Sequence, residues 1–255
     1  MSGLSFSFVV RRIGLRASQC RRDKAGVAAV EFALILPMML ALYFGVVVLA
    51  QGLEIGRKTQ SLSHTLSDLT AQTLAQSGQS SPTLADADIS NIFGAAAAVV
   101  YPFSSGNIDN MTISEVIFDN IAGTTACCEA KLVWSVSISP SGKTPQPRTC
   151  QTFVNSGDNS ISSATKLPPG VYPTAVASGN ATDSYLIIAD VTYAYKPGLY
   201  WQSPWTSASD PGYSIHQTTY MTPRAGGGAS IAWTPGSLYA ANANYYSCAG
   251  KYNTP

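Results

Sequence analysis

The spacing of apolar positions changes character three times along this 255-residue chain. From Phe32 to Ala50 no residue carries a charge, a run long enough for a bilayer-spanning helix. From Gly52 to about Gln76 the pattern loosens. Leu62, Leu66 and Leu69 recur at i, i+4 and i+7, with Leu74 nearby, which predicts one apolar stripe on a continuing helix. That stripe suits packing on a globular domain or on a coiled-coil partner. "SGQSSPT" (77–83) reads as a linker. "LADADISNIFGAAAAVV" (84–100) predicts a second helix, stopped by Tyr101-Pro102. Beyond it the period falls to two, and strands are predicted over 111–118, 130–139, 185–195 and 214–221. "SPSGKTPQP" (139–147) reads as a long loop, and 155–183, rich in Gly, Ser, Asn and Pro, reads as irregular.

These elements predict an α+β fold: a long N-terminal transmembrane helix continuing into a small extracytoplasmic domain with an antiparallel sheet. The expected layout is a basic leader over 1–26, a membrane helix over 27–53, a helix extension over 54–76, a linker over 77–83 and an α+β domain over 84–255.

Charge refines the membrane reading. The net charge is +1, but Arg11, Arg12, Arg16, Arg21, Arg22 and Lys24 stand against Asp23 before Gly26, whereas acids outnumber bases from Val27 onward. The positive side of an apolar run stays in the cytoplasm. The rest of the chain is then extracytoplasmic, and the expected location is a bacterial inner membrane, single-pass. No basic patch for nucleic acid accompanies the main domain. A cleaved secretory signal fits poorly, because its apolar core is shorter and ends at a small-residue site. Cys20 follows arginines rather than an apolar stretch, which disfavours lipidation. The other four cysteines, Cys127, Cys128, Cys150 and Cys248, lie on the oxidising side, where an even number implies two disulfides. A vicinal Cys127–Cys128 bridge is strained, so each is expected to pair with Cys150 or Cys248, in either crossing. Zinc is the weaker reading, since the chain has two histidines, His64 and His216, and no C-x-x-C.

Glu31 interrupts this picture. A carboxylate within a lipid-embedded helix costs on the order of 2.5–3.5 kcal/mol at mid-bilayer. It stands five residues after Gly26, in Gly26-Val27-Ala28-Ala29-Val30-Glu31. This resembles the processing site of type IV pilin-like proteins. That resemblance implies cleavage after Gly26 by a prepilin peptidase on the cytoplasmic face, with Val27 as the new N-terminus and Glu31 as the fifth mature residue. A carboxylate near a helix N-terminus is favoured by the dipole, and pairing with an amine lowers its cost in lipid.

The stretch from Gly26 to Gln72 is similar to the TadE-like segment of tight-adherence (Tad/Flp) pilus systems. The features are the small residues before Glu31-Phe32, Leu36-Pro37, Gly45 and the polar amphipathic continuation. "IIADVTYAYKP" (187–197) and "TTYMTPRAG" (218–226) are similar to closing strands of such proteins. The resemblance implies a minor pseudopilin needed for pilus assembly and adhesion. Its implied partners are other pilin-like subunits through the N-terminal helix, the prepilin peptidase, the Tad inner-membrane platform and ATPase, and the lipid bilayer. Major Flp pilins are very short and carry Glu-Tyr where this chain has Glu31-Phe32. Larger TadG-type relatives often carry a von Willebrand-type metal-site domain marked by Asp-x-Ser-x-Ser. No such motif is expected in this chain, and no metal and no cofactor is assigned to it. The rival reading is an unprocessed single-pass anchor displaying a ligand-binding β-rich domain, for envelope polysaccharide or protein.

No catalytic motif appears: G-x-S-x-G, H-E-x-x-H, a phosphate loop and a dinucleotide fingerprint are all missing from the sequence. A non-enzymatic role is expected. Asp86 and Asp88 suit the N-terminus of the second helix. Tyr193, Tyr195, Tyr200, Trp201, Trp205 and Tyr213 form an aromatic group read chiefly as packing, with sugar or partner binding as the sharper alternative.

Overall fold

The computed structural model describes residues 24–73, 82–120, 127–155, 166–173, 184–196, 213–224, 230–233, 235–236 and 244–248. The chain divides into two compact units, residues 1–51 and 52–255. Helix α1 (Lys24–Ala71) is 48 residues long, with Pro37 inside it. Helix-forming Ala and Leu dominate its first half, and lipid-type segments tolerate an internal proline. Its end at Ala71 falls short of the expected Gln76. The backbone N–H of Arg224 donates to the Ala71 carbonyl at 2.9 Å, and its guanidinium pairs with Asp68 at 2.8 Å. A segment far along the chain thus caps one of the carbonyls that a helix end leaves open.

In the second unit, β1 (Thr83–Leu84) is followed by α2 (Asp86–Ala98), a 3₁₀ turn (Ser105–Asn107) and strands β2 (Ile108–Asn120) and β3 (Cys127–Ile138). Then come β4 (Thr152–Asn155), β5 (Lys166–Leu167), β6 (Ser184–Tyr195), β7 (Tyr213–Met221), β8 (Ala232–Trp233) and β9 (Tyr245–Ser247). The main sheet runs β5-β4-β3-β2-β6-β7, and β9 also pairs with β3. All its pairings are antiparallel except β4–β5. The four strands legible in the sequence are β2, β3, β6 and β7, each within three residues of its expected ends. The short strands β1, β4, β5, β8 and β9 have no such pattern.

A register shift decides which side chains share a face. Glu115 pairs with Trp134, but Val116 pairs with Leu132, so Val133 is an extra residue in β3. A bulge of this kind reverses the alternation. Ala130 and Leu132 therefore face one side and Trp134 and Val136 the other. The two cores divide accordingly. The first joins Ile113, Trp134, Val136, Ala189 and Val191 to the helices, and the second joins Val116, Phe118, Ala130, Leu132 and Ile188.

The C-terminal part of α1 buries Ile55, Leu62 and Leu66 in the first core, and α2 buries Ile89, Phe93 and Ala96. The expected leucine stripe packs on this core: Leu62 and Leu66 are buried, Leu69 is half-buried, and Leu74 lies outside the described residues. Thr59, Ser63, Ser67 and Thr70 complete the buried face. Their hydroxyls are satisfied inside the helix by carbonyls three or four residues back. Ser63 also bonds Thr219 of β7 at 2.7 Å. Small hydroxyl side chains let the helix lie close to the sheet without unpaired polar groups.

Candidate functional site

Gly26, Val27 and Glu31 all lie on α1, and all three are exposed. Val27 and Glu31 stand at i and i+4, on one helix face. From Val27 to Leu53 apolar side chains point outward in every direction, as consecutive exposed Leu34, Ile35 and Leu36 show. A helix apolar all round and not covered by protein is the form that lipid stabilises. Among the described residues α1 alone is long and apolar enough to cross a membrane, and this single N-terminal apolar helix suggests a membrane anchor.

The cysteine pairing is a correction. Cys150 is bonded to Cys248, across a sequence separation of 98, so neither is joined to Cys127 or Cys128. The backbones of those two open β3, and their side chains lie outside the described residues. The reason for the pairing is topological. Both β4 and β9 use the same edge of β3, at Ala130–Lys131 and at Trp134–Val136 respectively. Between them the Leu132 N–H donates to the Gln151 carbonyl, and the Cys248 N–H to the Val133 carbonyl. The end of β9 and the start of β4 therefore meet at the β3 bulge, and the disulfide joins the two half-strands. Cys248 thereby ties the end of β9 to the start of β4.

Glu115 was not foreseen as a special residue. It is wholly buried, in the layer facing the helices. Its Oε1 accepts the Ile231 N–H at 2.6 Å and its Oε2 the Ser230 hydroxyl at 3.1 Å. The Ile231 carbonyl accepts the Trp134 indole N–H at 2.9 Å. One carboxylate thus anchors the segment that forms β8, which pairs with β1. Burial pushes the Glu115 carboxyl up to about 7, and the hydrogen bonds from Ile231 and Ser230 offset this only in part. Its apolar neighbours Met111 and Ile113 share its alternation, a signal that this face of β2 is core.

On the opposite face of the sheet lies an open cleft of about 620 Å³. Its floor is β2, β6 and β7, and its wall is the loop 146–149. Asn110 docks that loop: its Oδ1 accepts the Gln146 N–H at 3.0 Å and its Nδ2 donates to the Gln146 carbonyl at 3.2 Å. Arg148, which is 7% exposed, donates Nε and one Nη to the two oxygens of Asp190 at 2.7 and 2.9 Å. Thr218 donates to the same carboxylate at 2.7 Å. The Arg148 N–H donates to Ser135, whose hydroxyl bonds Ser114. His216 stands at the rim, Nδ1 at 2.9 Å from the Thr192 hydroxyl and Nε2 at 3.1 Å from Ser214. No local motif marks this constellation, because its members come from four distant segments.

The remaining candidates separate. Tyr193 and Tyr195 are buried on the helix side, and Tyr193 donates to the Ser104 carbonyl at 3.1 Å. They are packing residues, whereas Tyr213 is exposed. Tyr200, Trp201 and Trp205 lie outside the described residues. Asp88 accepts the Ala85 N–H at 2.9 Å, a cap of α2, while Asp86 accepts the Gly236 N–H at 3.0 Å. His64 is exposed on α1. Among the described residues no three His, Cys, Asp or Glu gather as metal ligands. Asp158, Ser160 and Ser162 do carry the Asp-x-Ser-x-Ser spacing, so the motif itself is present; it lies in a serine-rich stretch outside the described residues.

No curated protein and no solved structure matches the chain. The family model described as TadE-like protein matches residues 26–54, which run from Gly26 through Glu31 and Pro37 along the exposed apolar part of α1, and on that segment the chain is TadE-like.

Proposed function

We propose that this chain is a membrane-anchored minor pseudopilin that assists assembly of a Tad-type pilus for adhesion, and that a prepilin peptidase removes its leader after Gly26. The carrying observation is the coincidence of the TadE-like match at residues 26–54 with an apolar helix exposed on all sides. Hydrolysis of the Gly26–Val27 amide leaves an amine on Val27. Glu31 follows at i+4, and helix side chains lean toward the N-terminus, so its carboxylate is placed to neutralise that amine, or that of an adjacent subunit. Residues 1–26 face the cytoplasm, 27–53 span the inner membrane, and the domain beyond is extracytoplasmic. The Cys150–Cys248 disulfide supports the oxidising side for that domain. The platform and its ATPase act on the assembled helices.

The test compares Gly26→Leu with Glu31→Ala in cells that hold the peptidase and the pilus system. Mass analysis of the membrane-extracted protein reads the N-terminus, and surface pili are scored separately. Gly26→Leu is expected to keep residues 1–26. Glu31→Ala is expected to insert and be cleaved, yet fail in assembly. An intact Met1 terminus in the unmutated protein sinks the pseudopilin reading and favours the unprocessed anchor. Normal pili with Glu31→Ala reduce Glu31 to an interfacial acid.

A further inference from the structure

We infer that the cleft between the 146–149 loop and strand β7 is a binding site for a neutral saccharide chain. The inference does not depend on leader processing. Its size, about 620 Å³, lies in the range of ligand sites, roughly 300–1,000 Å³. Its lining combines polar groups with apolar surface. Gln146, Thr149, Thr192, His216 and Thr218 contribute an amide, hydroxyls and an imidazole to the lining. The threonine methyls and the Pro147 ring contribute apolar patches between them. A pyranose has this same duality, with hydroxyls at its edge and C–H groups on its faces.

The charges of the lining disfavour anions and metal ions. The lining holds one Arg, one Asp and one His. Arg148 and Asp190 face each other in a two-bond ion pair, and Thr218 adds a third bond to the carboxylate. An anion meets a cation already paired, and a metal ion meets a carboxylate already occupied, so neither gains what a lone charge offers. A neutral hydrogen-bonding ligand needs no such partner. The wall is also preorganised, with Asn110 bonded to both the N–H and the carbonyl of Gln146 and Arg148 tied to Ser135. Order of this kind lowers the entropy lost on binding. The cleft is open to solvent rather than enclosed, which leaves room for a chain longer than one sugar ring.

The experiment uses the full chain in micelles of a detergent without a sugar headgroup. Calorimetry or NMR titration measures binding of cellotetraose, maltotetraose and N-acetylated chitotetraose, with tetragalacturonate and calcium as charged comparators. Thr149→Trp fills the trough from an exposed position, and the double variant Gln146→Ala/His216→Ala removes rim contacts without touching the Arg148–Asp190 floor. Far-UV circular dichroism and the unfolding midpoint verify that each variant folds. At least one neutral tetrasaccharide is expected to bind saturably, about tenfold more weakly in the double variant and not at all in Thr149→Trp. Saturation by none of the three, binding that both folded variants retain, or binding of tetragalacturonate or calcium alone overturns the inference.

Discussion

Glu115→Gln is the most informative change in the core. The unperturbed carboxyl titrates at 4.5 and the buried one at about 7. The folded state therefore holds its proton more tightly than the unfolded chain. Stability from this group is complete below pH 4.5, falls as the unfolded chain ionises, and is fully lost above about pH 7. At 1.36 kcal/mol per pH unit the loss is about 3 kcal/mol in all, of which about 2.5 kcal/mol falls between pH 5 and 8. For a domain of this size that corresponds to roughly 5–10 °C in the unfolding midpoint. Glutamine keeps the shape and the acceptor for the Ile231 N–H, and its amide can donate to Ser230. It carries no charge at any pH, so its stability should be nearly flat over the same window. His64 and His216 are present in both proteins and cancel in the difference. The assay is unfolding of the full chain in micelles at pH 5, 6, 7 and 8. Tryptophan fluorescence reports the anchored segment, since the Trp134 and Trp233 rings lie 5.6 Å apart beside it. A wild-type midpoint that holds or rises from pH 5 to 8, or a variant with the same slope, refutes the reasoning.

Two further perturbations probe the opposite side of the sheet. Cys150→Ser/Cys248→Ser opens a loop of nearly a hundred residues, so the loop-entropy account expects a loss of up to about 4.7 kcal/mol; equal denaturant midpoints with and without reductant contradict it. Asp190→Ala takes the carboxylate away from the buried Arg148 guanidinium, and because Asp190 itself keeps 23% exposure the expected loss is about 2–3 kcal/mol. A change under about 0.5 kcal/mol by chemical unfolding shows that solvent already screens the pair.

The sequence by itself determined what depends on nearest neighbours along the chain. Nineteen uncharged residues behind a basic stretch specify a membrane-type helix, whatever the rest of the chain does. The i, i+4 spacing specifies the continuation of α1, and the period-two runs specify β2, β3, β6 and β7. The spacing of Gly26 and Glu31, on which the proposed processing rests, is likewise a fixed distance along the chain. Tertiary structure decided what depends on register and on segments meeting from afar. The pattern of β3 places Ala130, Leu132, Trp134 and Val136 on one face, and the extra residue at Val133 sends the last two to the other. That same bulge lies where β9 and β4 meet, which selected Cys150–Cys248 over pairings with Cys127 or Cys128. Glu115 reads in sequence as an ordinary strand acid; it is a core residue because α1, α2 and the 230–233 segment cover its face. Arg148 and Asp190 stand 42 residues apart and share a cleft because β6 pairs with β2 while the 146–149 loop folds back on that strand. Periodicity reports how a segment presents its side chains, whereas which surface covers them is set by the pairing of strands remote in sequence.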